Sequence, residues 1–314
     1  MALFLKESEV EQLATMETAL EAVEEAFRLQ GEGKTGNAPR RRCRLGSGLL
    51  HVMSGSLEGL GGLKSYSTVD GKARFLVLLY AEDGSLTAVI EADRLGQLRT
   101  GAASGVATRH MARAKASRLG IIGTGWQARS QLEAVCAVRS IETAVAFSRD
   151  AERRQKFCSE MSEKLGVGVY PAATAEEAVR DMDIVVTATN SKEPVLEGAW
   201  LAAGAHVNAI GSNFITRQEI DVETVRRSAC VIVDSVEQAR LESGDLVRAA
   251  EAEVFFWEDA HELGEVVTGS FPGREEEREI TLFKSHGIAL EDVALAARVY
   301  QAAVAAGAGT KLPL

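Results

Sequence analysis

A short glycine-containing segment after an apolar run carries the clearest chemical signal in this sequence. The run Leu119-Gly-Ile-Ile122 leads into Gly123-Thr-Gly125-Trp-Gln-Ala128, and a helical pattern begins at once. Gly123 permits a tight turn after a strand, Gly125 lets a phosphate approach the backbone, and Ala128 lets the helix pack closely on the sheet. The helix N-terminus offers free N–H groups to an anion. The segment predicts a dinucleotide-binding turn whose cofactor contacts are Gly123, Thr124, Gly125, Trp126, Gln127 and Ala128.

The end of the next apolar run bears on which dinucleotide is bound. Thr143-Ala-Val-Ala-Phe147 follows at the spacing of a βαβ unit and ends in Ser148-Arg149. An acidic residue here would hydrogen-bond the ribose 2′-OH of NAD, whereas a hydroxyl and a guanidinium suit a 2′-phosphate. We therefore favour NADP(H). NAD(H) remains possible, because Asp150 lies nearby and Arg149 is also typical of a solvated strand end.

Basic residues recur in the first hundred positions, next to small residues. They are a run at Arg40–Arg42, Lys64 after Gly61-Gly-Leu, and Arg99 before Thr-Gly-Ala-Ala. Each one alone is typical of a solvated surface charge. Small neighbours would nevertheless let a ligand approach the backbone while the cation binds it.

Taken in order, these motifs resemble the ornithine cyclodeaminase/μ-crystallin family. The order is Pro-x-Arg, Gly-x-Lys, Arg-Thr-Gly-Ala-Ala and then Gly-x-Gly-x-x-Ala, and further matches continue almost to the C-terminus. The later matches are Thr187-Ala-Thr189, Asn208-Ala-Ile-Gly-Ser-Asn213, Val233-Asp-Ser235, Glu242-Ser-Gly-Asp245, and Phe283-Lys-Ser-x-Gly287 with Asp292.

The resemblance implies an α/β fold in which a Rossmann-type doubly wound parallel sheet is joined to an α+β dimerisation and substrate domain. We place the substrate domain at residues 1–115 and 290–314, and the NAD(P)-binding domain at residues 116–289. Members of the family are homodimers, so a homodimer is expected.

The resemblance also implies roles for individual residues. Arg41, Lys64 and Arg99 match the positions that bind the substrate carboxylate and act in catalysis, with Arg42 as the alternative to Arg41. Asn213 is expected on the substrate side. The further cofactor-side positions are Thr100, Ser148, Arg149, Thr187, Thr189, Gly211, Ser285 and Gly287.

One departure from the family pattern concerns the substrate. Ornithine cyclodeaminases carry an Asp where this chain has Asn213, and an amide cannot act as a general base or hold an ammonium as a carboxylate does. The leading hypothesis is therefore an NAD(P)H-dependent reductase of small 2-imino acids. Substrates would be Δ1-pyrroline-2-carboxylate or Δ1-piperideine-2-carboxylate, giving proline or pipecolate. The alternatives are ornithine cyclodeaminase, an alanine-type dehydrogenase, and an NADPH-binding protein without turnover.

Hydrophobic periodicity predicts the elements that position these residues. An amphipathic helix is expected over 8–31, and a hairpin turn at Asp83-Gly84. Further helices are expected at 94–113, 127–139, 150–165, 174–180, 216–228 and 292–306. Strands are expected at 49–53, 62–67, 74–80, 86–91, 117–122, 143–147, 167–170, 183–188, 206–210 and 230–233.

Composition excludes several other classes of function. The 314 residues are 46% hydrophobic, and the net charge of −10 argues against nucleic acid or anionic membrane partners. No apolar run is long enough to span a bilayer, and the early acidic residues are unlike a signal peptide, so a cytoplasmic location is expected. Four scattered cysteines predict free thiols, and five histidines without ligand spacing predict no metal site.

Overall fold

The computed structural model describes residues 2–313, which form two compact units. Unit 1 is Met1–Ala102 with Gly287–Leu314, and unit 2 is Ala103–His286. The expected boundaries near 115 and 290 therefore differ from the observed ones. The first division falls inside helix α3, Asp93–Met111. The sequence could not indicate this position, because a continuous helical pattern does not show where the packing of the helix changes.

Unit 1 is built around a largely antiparallel sheet in the order β15-β1-β6-β5-β4-β3-β2, with helices packed on it. Among the described strands of this sheet, only the β1–β6 pair is parallel. The strands are β1 Leu3–Leu5, β2 Gly36–Leu45, β3 Gly48–Leu57, β4 Leu60–Val69, β5 Lys72–Ala81, β6 Leu86–Glu91 and β15 Thr310–Lys311. The helices are α1 Glu7–Leu13, α2 Met16–Gly31, the first part of α3, and α10 Ala289–Ala306.

Alternation along the central strands gives this sheet one buried face, against which α10 packs. Met53, Lys64 and Val77 lie side by side on that face, on β3, β4 and β5. A Cβ at Gly55 would approach the backbone of Leu290 to 3.0 Å, and one at Gly62 would approach Val293 Cγ2 to 2.8 Å. These glycines therefore allow α10 to come close to the sheet, which brings its polar residues to Lys64.

Unit 2 contains a parallel sheet in the order β13-β12-β14-β11-β10-β7-β8-β9. Its strands are β7 Arg118–Ile122, β8 Thr143–Phe147, β9 Gly168–Pro171, β10 Ile184–Thr187, β11 His206–Ala209, β12 Ser228–Val233, β13 Ala260–Glu262 and β14 Ile280–Lys284. The helices are the rest of α3, α4 Trp126–Val138, α5 Ala151–Leu165, α6 Val222–Arg227, α7 Val236–Glu242, α8 Gly244–Glu251 and α9 Leu263–Thr268.

Two apolar clusters form the core of unit 2, and the sheet strands contribute to both. From β7 the chain adds β8 and β9 on one side and β10 and β11 on the other, so the strand order reverses between β7 and β10. The predicted α/β class with a Rossmann-type doubly wound parallel sheet is confirmed.

Several predicted elements differ from those observed. The helix expected over 8–31 is two helices, because Thr15 accepts a hydrogen bond from Thr18 N and caps α2. The basic run Arg40–Arg42, for which no strand was expected, lies in strand β2. Residues 174–180 form turns instead of a helix, and the helix expected at 216–228 is only Val222–Arg227. In both segments the apolar periodicity was too short to fix a helix. The short strands and α-helices without a predicted counterpart are β1, α7, α8, α9, β13, β14 and β15.

Across residues 2–313, no helix is both long and apolar enough to cross a membrane. The same residues contain no group of three or more His, Cys, Asp or Glu side chains arranged to hold a metal ion. All four cysteines are free thiols.

Candidate functional site

Two cations and two carboxylates meet in the interior of unit 1. Lys64 Nζ lies 2.7 Å from Asp292 Oδ1, and Arg99 Nε donates to the same oxygen at 3.1 Å. Arg99 Nη1 also donates to Glu291 Oε2 at 2.6 Å. Both carboxylates come from the first turn of α10, where the positive end of the helix dipole favours them. Predicted site residues Lys64 and Arg99 are therefore brought together.

The third cation of this cluster is Arg40, whereas Arg41, the residue expected here, is exposed on the other face of the strand. Pro39 and Arg40 together lie opposite Met53, so β2 carries a bulge at this point. The bulge turns Arg40 inward, where it is 5% exposed and donates to Gly287 O at 2.7 Å. Arg41 is exposed on the opposite face, and Arg42 is half-buried on the inner one. No signal in the sequence located the bulge.

Burial sets the chemistry of Lys64. The side chain is 2% exposed, and this desolvation lowers the pKa of Lys64 to about 8, with Asp292 opposing the shift and Arg99 adding to it. A Cβ at Gly96 would lie 3.0 Å from Nζ, so Gly96 makes room for the ammonium. At neutral pH Lys64 is a cation that can release its proton easily.

Aromatic rings lie beside Lys64 on the same sheet face. Its Nζ is 5.1 Å from the ring centroid of Phe75 and 5.9 Å from that of Tyr66, within cation–π range. Tyr66 stacks on His51 with centroids 4.1 Å apart. Burial, with Arg42 and Arg40 nearby, lowers the pKa of His51 to about 4, so this ring is neutral at pH 7.

Gly287 and Thr100, both expected on the cofactor side, have contacts within unit 1. Gly287 has φ +75°, and a Cβ there would come within 2.5 Å of Arg99 Nη1. This residue therefore has to be a glycine both for its backbone and for the close approach of Arg99. Thr100 is buried, and its hydroxyl donates to Gly96 O at 2.8 Å within α3.

In unit 2, the predicted dinucleotide turn has the required geometry. Gly123 has φ +113°, and a Cβ there would overlap Ala188 O. Gly125 is the N-cap of α4 and bears no side chain that competes for the N–H groups of the first helical turn. Ala128 is fully buried and Trp126 is exposed at the helix start. Residues around Gly125 therefore fit a pyrophosphate at a helix N-terminus.

The end of β8 presents a hydroxyl and a guanidinium beside this turn. Thr124 Oγ1 donates to Ser148 Oγ at 2.8 Å, which ties the turn to the strand end. Arg149 is exposed. Asp150 accepts a hydrogen bond from Arg153 N at 3.0 Å and caps α5, so its carboxylate already has a structural role.

The ends of β10 and β11 meet on one buried carboxylate that the sequence analysis did not single out. Thr187 Oγ1, Thr189 N and Gly211 N all donate to Glu219, at 3.2, 2.6 and 2.5 Å. The three predicted cofactor-side residues are thus brought together. A fourth, Ser285, instead donates to buried Asp234 at 3.1 Å, and Asn213 is half-buried in the loop after β11.

Glu291 and Glu219 are candidate site residues that sequence reasoning missed, and Arg40 was named only as part of the basic run. Asp292 belonged to a recognised motif but was assigned no role, although an acidic residue after Gly287 is a usable signal. Glu219 lies between recognised motifs, and only its buried contacts single it out.

The chain is similar to known proteins over almost its whole length. A family model described as the ornithine cyclodeaminase/mu-crystallin family matches residues 1–307. A Δ1-pyrroline-2-carboxylate reductase of Bacillus cereus is 41% identical over 272 residues, which cover 83% of this chain and 83% of that protein.

Solved structures agree closely with the fold. The Δ1-pyrroline-2-carboxylate reductase of Thermococcus litoralis, in complex with NADH and L-proline, is 37% identical with a TM-score of 0.94, covering 99% of this chain and 100% of that chain. An archaeal alanine dehydrogenase dimer with bound NAD is also 37% identical with a TM-score of 0.94, covering 100% and 99%. With its motifs, fold and near-complete coverage in agreement, the chain belongs to the ornithine cyclodeaminase/mu-crystallin family.

Proposed function

We propose that this protein is an NAD(P)H-dependent reductase of small 2-imino acids, taking a cyclic ketimine such as Δ1-pyrroline-2-carboxylate or Δ1-piperideine-2-carboxylate to proline or pipecolate. The observation that carries the proposal is the buried cluster of Lys64, Arg99 and Arg40 in unit 1. The relatives named above act in the same chemical class.

Charge and geometry suit the cluster to one carboxylate. Its three cations, Arg40, Lys64 and Arg99, outnumber its two carboxylates, Glu291 and Asp292, by one positive charge. A substrate α-carboxylate would balance that charge, and guanidinium groups bind carboxylates in fixed orientation. Orienting the substrate in this way contributes several kcal/mol to lowering the barrier.

Lys64 is proposed as the proton donor. A bound nicotinamide would supply hydride to the imine carbon, and the imine nitrogen has to carry a proton as the C–N double bond becomes single. With a pKa lowered to about 8, the Lys64 ammonium matches general-acid chemistry near neutral pH. Asp292, 2.7 Å away, keeps Lys64 protonated and fixes its side chain.

For the cofactor, we propose NADP(H) over NAD(H). Ser148 and exposed Arg149 offer a hydroxyl and a guanidinium where a 2′-phosphate would lie. The helix-capping role of Asp150 supports the same preference, because that carboxylate is already held by Arg153 N. The solved relatives with bound NADH and NAD make NAD(H) the alternative.

Ornithine cyclodeaminase and alanine-type dehydrogenase activities differ from the proposed imine reduction, the first in the need for an acidic group where this chain has Asn213, the second in its substrate. Ornithine cyclodeaminase chemistry needs an acidic group for the amine, and Asn213 supplies only an amide. An alanine-type dehydrogenase would reduce a linear imino acid formed from a 2-oxo acid and ammonia, and the archaeal relative favours keeping this second candidate. A homodimer is proposed for this chain as well.

The test is a nicotinamide absorbance assay with purified protein. One arm contains Δ1-pyrroline-2-carboxylate with NADPH or NADH, a second contains pyruvate with ammonia, and a third contains ornithine with NAD⁺ and an ammonia assay. We expect rapid NADPH oxidation in the first arm and no ammonia in the third. Ammonia and proline from ornithine, without net cofactor change, would refute the proposal. Faster turnover with pyruvate would move the assignment to the alanine-type enzyme.

A further inference from the structure

Three ionisable side chains that the proposed function does not use meet in the interior of unit 2. They are Glu219, Asp245 and Lys284, and none is more than 1% exposed. Lys284 Nζ lies 3.0 Å from Asp245 Oδ2 and donates to Ser212 O at 3.0 Å. Asp245 Oδ1 accepts the backbone N–H groups of Glu219 and Ile220 at 2.7 and 3.0 Å. The cluster thus sets two buried carboxyl groups against one ammonium.

The hydrogen bonds of Glu219 favour its carboxylate form. Thr189 contributes its N–H at 2.6 Å and its hydroxyl at 2.8 Å to Oε1. Gly211 N–H and the Thr187 hydroxyl donate to Oε2 at 2.5 and 3.2 Å. Burial raises the pKa of Glu219 above its usual value and Asp245 adds to this rise, while Lys284 and the donors on Thr189 oppose it. Because each oxygen accepts a backbone N–H, which can only donate, an ionised carboxylate satisfies both.

This carboxylate is linked to the dinucleotide turn through Thr189. A Cβ at Gly123 would lie 3.3 Å from Thr189 Cγ2, so the segment after β10 packs directly on the turn after β7. The strand order reverses between these two strands. In doubly wound sheets the ligand binds outside the carboxyl ends of the strands at that reversal.

Gly211 shows how tightly Glu219 joins the two strand ends. A Cβ at Gly211 would overlap both Thr189 O and Glu219 Oε1. The loop after β11 can therefore approach the loop after β10 only because residue 211 is a glycine. Glu219 fixes this approach by holding one backbone N–H from each loop.

We propose that Glu219 is a positioning residue for the nicotinamide half of the dinucleotide, and that its buried negative charge favours the oxidised cofactor over the reduced one. The nicotinamide ring is a cation when oxidised and neutral when reduced, so a nearby carboxylate stabilises the oxidised form selectively. Lys284 lies 3.0 Å from Asp245 and is a single ammonium against two carboxyl groups, so the cluster carries one net negative charge when both are ionised. This inference rests on the proposed function, because it requires a nicotinamide cofactor in unit 2.

The experiment measures the dissociation constants of the oxidised and reduced cofactor, using whichever of NADP⁺/NADPH and NAD⁺/NADH the wild-type chain binds more tightly. Calorimetry and the fluorescence of the reduced form give both constants without turnover. In Glu219→Gln we expect the ratio of the oxidised to the reduced dissociation constant to rise by roughly fivefold or more. The matched control is Asp221→Asn, because Asp221 also accepts several donors, from Gly198 N and Thr224, without touching Thr189 or Gly211. Its ratio should stay at the wild-type value.

A second variant keeps the test decisive if Glu219→Gln does not fold. Thr189→Val removes one of the hydrogen bonds that favour the ionised carboxylate, so the ratio should rise, in the same direction as in Glu219→Gln. An unchanged ratio in the folded Glu219→Gln protein, or in Thr189→Val if only that variant folds, overturns the inference even if both affinities drop together. A wild-type chain that binds neither couple would instead overturn the proposed function.

Discussion

Lys64 combines three properties at one nitrogen atom: burial, an ion pair and a lowered pKa. Its Nζ lies 2.7 Å from Asp292, with Arg99 bonded to the same carboxylate. A buried ammonium of this kind is costly unless paired, and the cluster supplies the pairing. The cost is consistent with a catalytic role, because perturbed ionisable groups concentrate at functional sites.

Replacing Lys64 by Met should abolish turnover while leaving dinucleotide binding intact. Met is similar in length and apolar, so the sheet face keeps its packing, but it has no proton to donate and no charge for a carboxylate. Activity is measured by nicotinamide absorbance and cofactor binding by fluorescence titration. Survival of more than a few per cent of the activity would make Lys64 a spectator.

The rate of reduction should depend on the Lys64 proton. With a pKa of about 8 and the ammonium as the active form, kcat/KM for imine reduction should fall as the pH rises above about 8. The reverse oxidation, which needs the neutral amine as base, should rise over the same interval. Lys64→Arg is the control, because a guanidinium does not titrate there, so any remaining activity should lack this limb. If kcat/KM of the Lys64→Arg variant fell at the same pH, the fall would have to be assigned to another ionisable group.

The bulge in β2 decides which arginine faces the buried cluster. Pro39 and Arg40 share the position opposite Met53, and this directs Arg40 toward Gly287 while Arg41 faces outward. A bulge of one residue changes the face of every side chain that follows it. Two adjacent arginines of one strand therefore differ in environment: Arg40 is buried and Arg41 is exposed.

Arg40→Ala should lower kcat/KM for the imino acid about 10²-fold, about 2.7 kcal/mol, because it removes a buried guanidinium from the cluster. Arg41→Ala is the matched control one residue away and should change kcat/KM less than threefold. Both variants are compared by initial rates at several imino acid concentrations. The reverse ranking would mean that Arg41, not Arg40, binds the substrate.

The turn between β8 and α5 should set the cofactor preference. Arg149→Ala should weaken NADPH binding about tenfold and leave NADH binding nearly unchanged, since only NADPH carries the 2′-phosphate. The control is Arg180→Ala, another exposed arginine of unit 2, which is paired with Glu176. Titration of each protein with both cofactors gives the comparison. An equal loss for the two cofactors in Arg149→Ala would contradict a 2′-phosphate contact.

Apolar side chains are exposed on the outer face of the unit 1 sheet. Val52 on β3 and Leu76 on β5 are both 39% exposed, on the opposite face from Lys64. A second chain packed on this face would bury both side chains. Together with the dimeric archaeal relative, they support a homodimer.

Sedimentation equilibrium should therefore give twice the 33.6 kDa mass of one chain. Leu76→Asp should shift the protein toward the single-chain mass, because a charge would be buried in an apolar contact. Lys192→Asp, at an exposed position in unit 2 and not on this sheet face, serves as the control and should remain at the doubled mass. A wild-type chain that sediments at the single mass would rule out the homodimer.

Much of the fold and part of the candidate site could be predicted from residues that are close together in the sequence. The turn at Gly123-Thr-Gly125 and its flanking strands were predictable because a strand, two glycines and a helix start are adjacent in the chain. The long helices and strands were predictable as well, because their hydrophobic periodicity extends over many consecutive residues. Short helices such as Val222–Arg227 were misjudged, because tertiary contacts rather than periodicity stabilise an element of that length.

The family, the dinucleotide turn, and Lys64 and Arg99 as candidate cations follow from the order of residues in the chain. That Arg40 rather than Arg41 faces inward, that Glu291 and Asp292 hold the cations, and that Glu219 joins two strand ends follows only from the folded arrangement. The physical reason is distance along the chain. Residue 64 meets residue 292, and residue 189 meets residue 219, only after the sheets have formed and buried them.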